Sequence, residues 1–227
     1  MKLSNETMEI LKHFATLNPA IMIEPNEENR IYSAAETKAL VGTCILKETF
    51  EKPFITTDLG RFLSVASLFT EPDFEFGDDS VRITSENGAQ NMVFYYAPAH
   101  LVNQKNKLPK KQEDVAIEFC MSKDAFSRIR KASDVMGVSD IRVKAANGKI
   151  TLSCLERKMA TSNSFDLIVG DCDPELDVDF YFKKQNLRLT EDDYSVIMYK
   201  TRLVEFIAQN KLYSELRFFV VAEADDI

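Results

Sequence analysis

The sequence predicts an α+β protein of two related halves, in which antiparallel sheets carry a few amphipathic helices. Three observations lead there. Short runs of alternating apolar and polar residues recur from Ala20 to Ala222, the pattern of strands with one buried face. Three other segments repeat their apolar residues at helical spacing, and each starts on a capping residue, Ser4, Asp58 or Ser122. A strand, helix, strand, strand unit also occurs twice, each time with an Asn-Gly turn after its helix.

The first helix is expected over Ser4 to Leu17, where Thr7, Ile10, Leu11, Phe14 and Leu17 share a face and Asn18-Pro19 stops the pattern. Strands follow over Ala20 to Glu24, Ile31 to Glu36 and Ala39 to Leu46. The first copy of the repeat runs from Phe54-Ile55-Thr56-Thr57 into a helix from Asp58 to Phe69, with Phe62, Val65, Ala66 and Phe69 inward, then into strands around Asn87-Gly88. The second runs from Ile117 to Met121 into a helix from Ser122 to Val135, with Phe126, Ile129 and Ser133 inward. The strands Ile141 to Lys144 and Ile150 to Cys154 then flank Asn147-Gly148. An offset of 64 residues relates Asp58 to Ser122, Phe62 to Phe126, Val65 to Ile129 and Phe69 to Ser133. Asn-Gly between alternating runs signals a hairpin whose two turn residues take positive φ. Later strands are expected over Phe165 to Val169, Val178 to Phe182, Tyr194 to Tyr199, Val204 to Ile207 and Leu216 to Ala222, with a short helix at Lys183 to Leu187.

The chain has 227 residues, 45% of them apolar, which suits one large β-rich domain or two domains of half that size. Residues 103–114, with four lysines, one proline and no apolar periodicity, read as a connector. The expected domains are therefore 1–110, which includes the start of that connector, and 111–227. No run of 18 apolar residues and no basic-then-apolar amino terminus occurs, so neither a membrane span nor a secretion signal is expected. Cys44, Cys120, Cys154 and Cys172 lie 76, 34 and 18 residues apart without a Cys-x-x-Cys pair, which points to reduced, buried thiols in a cytoplasm.

No catalytic constellation stands out. The chain lacks a phosphate-binding Gly-x-x-x-x-Gly-Lys loop, a His-x-x-x-His helix and a Gly-x-Ser-x-Gly elbow, and its two histidines, His13 and His100, leave little for acid-base work. No cofactor is implied. The acidic run Asp171, Asp173, Glu175, Asp177, Asp179 offers oxygens at alternate positions, but Pro174 and Leu176 occupy the middle where a calcium loop needs glycine. A solvated strand face explains it better than a metal site. A small metal-dependent enzyme using Asp171–Asp179, and a monomeric β-rich interaction protein, are the alternative readings.

Net charge is −8, from 28 basic and 36 acidic residues, which by itself argues against nucleic acid. Residues through Lys110 carry 11 bases and 15 acids, and the rest carry 17 and 21, so neither half is basic. Local potential is what attracts a polyanion, however. With Phe126, Ile129 and Ser133 inward, a step of 100° per residue turns Arg128, Lys131 and Asp124 outward, with Lys123 and Arg130 on the shoulders. The same construction turns out Asn5, Lys12 and Thr16 on the first helix, and Gly60, Ser64 and Ser67 on the second with Arg61 at the edge; Lys183 and Lys184 lie in the short helix. Such faces suit phosphate contact without base reading.

The opening Met1-Lys2-Leu3-Ser4, Thr7, Leu11-Lys12, Phe14-Ala15-Thr16, Asn18 and Ile21-Met22 resembles that of the T4-type bacteriophage DNA sliding clamps, and Val220-Val221-Ala222-Glu223-Ala224-Asp225 is similar to their close. Length and repeat agree, and in architecture that family is similar to the PCNA-like clamps. The resemblance implies a DNA polymerase processivity factor with no enzymatic activity: two clamp-type domains per chain, each with antiparallel sheets outside and two helices on the inner face. Three chains would form a homotrimeric ring around duplex DNA, without sequence preference. Implied partners are an ATP-dependent clamp loader and the phage DNA polymerase, in the cytoplasm of the infected bacterial host and with no membrane; whether transcription machinery is a further partner is left open. Carried over by position, the phosphate-facing set is Lys12, Arg61, Lys123, Arg128, Arg130, Lys131, Lys183 and Lys184. The family's peptide-docking pocket would involve Val102, Leu108, Phe218 and Val220.

Overall fold

Ser4 opens the first helix, α1, Asn5–Leu17: its backbone is extended and its hydroxyl accepts the Thr7 amide at 3.3 Å, satisfying one of the donors that every helix start exposes. Glu48 reinforces that start, its two carboxylate oxygens accepting the Ser4 amide and the Thr7 hydroxyl. Burial opposes the charge on Glu48, but these hydrogen bonds hold its carboxyl below the usual range. The expected face of α1 is the buried one, Thr7, Ile10, Leu11, Phe14 and Leu17. The helix stops at Asn18, whose extended backbone leads into Pro19.

A computed structural model of the chain describes residues 1–102, 107–159 and 161–224. It divides into two units, Met1–Leu108 with Lys211–Leu216, and Pro109–Asn210 with Arg217–Ile227. Of the expected connector, residues 103–106 lie outside the described residues; 107–114 carry no regular structure and are mostly exposed.

In the first unit, β1 (Ile21–Ile23) pairs antiparallel with β4 (Phe54–Thr56), and β2 (Arg30–Ala34) with β3 (Leu40–Ile45). Helix α2, Leu59–Ala66, starts on Asp58, whose carboxylate accepts the Arg61 amide at 2.8 Å. It is shorter than expected and buries a different face: Leu59, Phe62, Leu63 and Ala66 point inward, while Val65 and Phe69 are only half-buried. Serines 64 and 67 turn their hydroxyls onto the Gly60 and Ser64 carbonyls, a local bonding that competes with continuation of the helix. A three-stranded meander follows, β5 (Asp73–Phe76), β6 (Ser80–Thr84) and β7 (Asn91–Tyr95). Its core is aromatic: the Phe62 ring lies 4.7 Å from Phe54, 5.4 Å from Phe94 and 6.0 Å from Phe74.

In the second unit, β8 (Val115–Met121) leads to Ser122, which caps α3, Lys123–Met136, by accepting the Ala125 amide at 3.1 Å. Ala125, Phe126, Ile129 and Ser133 are its buried residues, and Gly137 ends it in the left-handed region at φ 67°. The sheet beneath α3 has strand order β11-β10-β9-β12, from β9 (Asp140–Ala146), β10 (Lys149–Leu155), β11 (Phe165–Asp171) and β12 (Val178–Lys183), all antiparallel. Strand β8 pairs with β13 (Tyr194–Tyr199), β13 with β14 (Leu203–Ala208), and β14 with the second half of β15 (Ser214–Val221).

The two Asn-Gly sites differ. Asn147 and Gly148 both have positive φ, 52° and 78°, closing a two-residue hairpin between β9 and β10. At Asn87-Gly88 only Gly88 does, at 69°, inside a longer loop between Ser85 and Gln90. The helix expected at Lys183 to Leu187 is one 3-10 turn, Lys184–Asn186, so three α-helices are present among the described residues, two in the first unit and one in the second. All four cysteines are free, but Cys120 is exposed, because on β8 it shares the outward side with Glu118 while Ile117, Phe119 and Met121 turn in. Burial pushes the Cys44 thiol up to about 12.

Candidate nucleic-acid interface

On each helix the residues expected outward are exposed, although α2 buries a different face from the expected one. On α1, Asn5, Glu9, Lys12 and Thr16 are exposed; on α2, Gly60, Arg61 and Ser64; on α3, Asp124, Arg128, Arg130 and Lys131, with Lys123 at its first position. In α3 these cations share a helix with only Asp124 and Asp134, making it locally positive within an acidic chain. The α3 start is reinforced by Asp193, which accepts the Lys123 amide at 2.7 Å.

The cations are not equivalent. Lys12 Nζ lies 2.8 Å from Glu9, Lys123 3.2 Å from Glu191, Arg128 3.8 Å from Asp124 and Lys184 2.8 Å from Asp134. The Arg130 guanidinium sits 5.6 Å from the Phe126 ring centroid. Lys183 is bound most firmly, its ammonium 2.5 Å from Asp140, a carboxylate only 1% exposed that also accepts the Arg157 amide at 3.0 Å. That hydrogen bond keeps Lys183 above its usual pKa, and its charge serves the fold first. The Glu9–Lys12 and Asp124–Arg128 pairs follow from i,i+3 and i,i+4 spacing. Glu191, Asp140 and Asp193 come from distant sequence, and periodicity gave no signal for them.

The four residues expected at a peptide pocket separate by burial. Phe218 and Val220 have no exposed surface, Val102 is 6% exposed and Leu108 is 44% exposed. Phe218 and Val220 are core residues of β15, with the Phe218 ring 6.3 Å from that of Tyr194; they offer nothing for a docked peptide to touch. The acidic run fares no better as a metal centre. Asp171 pairs with Lys149 and Asp179 with Arg142, while Asp173 accepts the Glu175 amide. Among the described residues no three His, Cys, Asp or Glu side chains gather as metal ligands. The metal-enzyme reading gains no support here, since two of the five carboxylates it relied on, Asp171 and Asp179, are held by neighbouring cations.

Two of the strands that end a sheet, β7 and β11, carry exposed apolar residues. Strand β7 ends the three-stranded sheet, with Tyr95 72% and Met92 36% exposed. Strand β11 ends the four-stranded sheet, with Ile168 63% exposed. Beside β11 lies a groove of about 610 Å³, lined in part by Leu167, Ile168, Val169 and Arg128. No helix of the described residues is long and apolar enough to cross a membrane.

Comparison with known proteins places these features. Residues 118–224 match the family described as gp45 sliding clamp, C terminal. The sliding clamp of Vibrio phage KVP40 is 29% identical over 99% of this chain and 100% of its own length; that of Enterobacteria phage T4 is 23% identical over 88% and 87%. Among solved structures, the PCNA2-PCNA3 complex of Sulfolobus tokodaii aligns with TM-score 0.70 at 13% identity, covering 99% of this chain and 98% of the other. The A. fulgidus PCNA bound to the C-terminal region of FEN-1 aligns with 0.69 at 7% identity, covering 97% and 96%. With the helix faces, the paired strand-helix-strand-strand units and likeness along the whole length all agreeing, the chain is similar throughout to the sliding clamps of T4-type bacteriophages.

Proposed function

We propose that the chain is a non-enzymatic processivity factor acting as a homotrimeric ring of clamp-type domains, 1–110 and 111–227, around duplex DNA. An ATP-dependent loader opens the ring in the cytoplasm of the infected host, and the ring tethers the phage DNA polymerase. The observation carrying this reading is α3, whose outward face holds Lys123, Arg128, Arg130 and Lys131 in a chain of net charge −8. Lys12 on α1, Arg61 on α2, and Lys184 and Lys183 beside α3 complete the phosphate-facing set, with Lys183 the weakest member because Asp140 holds it. Enclosure rather than affinity retains the duplex, so modest charge suffices, and an acidic remainder discourages DNA from adhering elsewhere.

The end strands β7 and β11 support a closed assembly, because unpaired strand edges invite association and a head-to-tail contact of β7 with β11 of the next copy would cover both. The exposed Leu108 is the remaining candidate from the expected docking residues for a tethering peptide. The test has two parts. In solution the protein should have about three times the chain mass of 25.9 kDa. The double variant Arg128→Glu with Lys131→Glu should keep that mass while polymerase processivity falls about tenfold or more, as expected when several phosphate contacts become repulsive. A monomeric mass at all concentrations sinks the ring, and undiminished processivity in the double variant sinks the assignment of the face.

A further inference from the structure

The outward cations of the second unit are accompanied by acids. Glu191, Asp124 and Asp134 lie 3.2, 3.8 and 2.8 Å from Lys123, Arg128 and Lys184, and their side chains are 76%, 81% and 68% exposed. Exposed pairs of this kind contribute little to holding a fold together. Asp134 is also unfavourably placed for helix stability, in the last turn of α3, where the helix already carries partial negative charge. Asp124, in the first turn, suits the charge distribution of α3, but local stability gives a poor reason for Asp134 or for Glu191, which lies outside the helix. Electrostatics toward a polyanion gives a better one, since each lies well within a screening length of the cation it pairs with.

We propose that Asp124, Asp134 and Glu191 are built-in counterions that weaken the grip of the α3 face on DNA phosphates; this rests on reading that face as DNA-facing. A basic surface grips DNA because each phosphate it neutralises releases condensed counterions, with a slope of about −0.9 in log affinity against log salt per phosphate. A cation already neutralised by its own protein's carboxylate contributes little to that release. Lys123, Arg128 and Lys184 are partly cancelled in this way, while Arg130, stacked on Phe126 and one turn from Asp134, and Lys131 form no ion pair among the described residues. The face attracts a duplex enough to keep it from the wall's acids but holds no phosphate long, which is what motion along DNA requires.

The experiment uses the full-length chain and a short fluorescent duplex, with affinity followed by anisotropy across a salt series. In the triple variant Asp124→Asn, Asp134→Asn, Glu191→Gln, affinity at low salt should rise about tenfold and the salt slope should steepen by about 2. Lys131→Gln, run in parallel, should weaken binding about threefold. Tighter, steeper binding by the triple variant supports the proposal. An unchanged triple variant with a weakened Lys131→Gln overturns it and leaves the DNA-facing reading intact; if neither changes, the reading of the face falls and the proposal with it. Should the triple variant fail to fold, Glu191→Gln alone, outside the helix, should still bind about twofold tighter, and no gain there overturns the proposal equally.

Discussion

The two units share a plan and spend it differently. The first keeps two α-helices, α1 and α2, around a core where Phe54, Phe62, Phe74 and Phe94 lie ring against ring. The second keeps one, α3, and reduces its other helical segment to the turn Lys184–Asn186. At the equivalent of Phe62 stands Phe126, whose ring lies beside the Arg130 guanidinium. Where the first unit concentrates aromatic packing, the second concentrates charge on the outward face of α3.

Three perturbations sharpen the contrast. The largest loss should come from Phe62→Ala, which empties a fully packed aromatic site and should lower stability by about 4 kcal/mol in denaturant unfolding. Phe126→Ala, at the equivalent position, should cost about 3 kcal/mol because the Arg130 side chain can settle over the gap. Equal losses would mean that the aromatic cluster adds nothing beyond area. Next comes Asp140→Asn, which leaves Lys183 without its buried partner; about 3 kcal/mol is expected. A loss below about 1 kcal/mol would mean that Lys183 is free to serve DNA after all.

The smallest effect concerns the half-buried carboxylate of the first unit. Glu48 has its carboxyl held below the usual range in the fold, so its contribution is present above its ordinary value of 4.5 and disappears as pH falls through the folded value. The stability gap between the wild type and Glu48→Gln should be about 1 kcal/mol near neutral pH and should close in acid. A gap that persists unchanged in acid would show that the α1 cap does not depend on that charge.

Helix faces were the most legible part of the sequence, and their reliability followed length. Thirteen residues of α1 and fourteen of α3 give periodicity room to speak, and the expected buried residues are the observed ones apart from Ala125. The eight residues of α2 do not: Leu59 and Leu63 are anchors in a phase that the 64-residue alignment with α3 concealed. Asn-Gly named both hairpin regions correctly, but the loop length decides whether Asn must leave the right-handed region, and only at Asn147 is the loop short enough. Exposure of Cys120 could have been found by continuing the alternation Glu118, Cys120 along β8. Burial of Phe218 and Val220 could not have been separated from a pocket lining, since both uses ask for the same residue types. The acids beside Lys123 and Lys183 arrive from elsewhere in the chain, and only the fold brings them close.

The return of Lys211–Leu216 to the first unit sets a timetable for the chain's birth. Arg30, 8% exposed at its side chain, has its guanidinium 2.7 Å from Glu215, and the Cys44 thiol lies 3.5 Å from the Ser214 carbonyl. Both partners are synthesised long after Leu108. A domain that ended at Leu108 would close as soon as it left the ribosome; this one waits for its last strand, which at about 5–20 residues per second is a delay on the order of 5–20 s. During that interval Arg30 lacks the carboxylate it will meet there, so the amino-terminal half is the vulnerable one while the carboxy-terminal half is still being made.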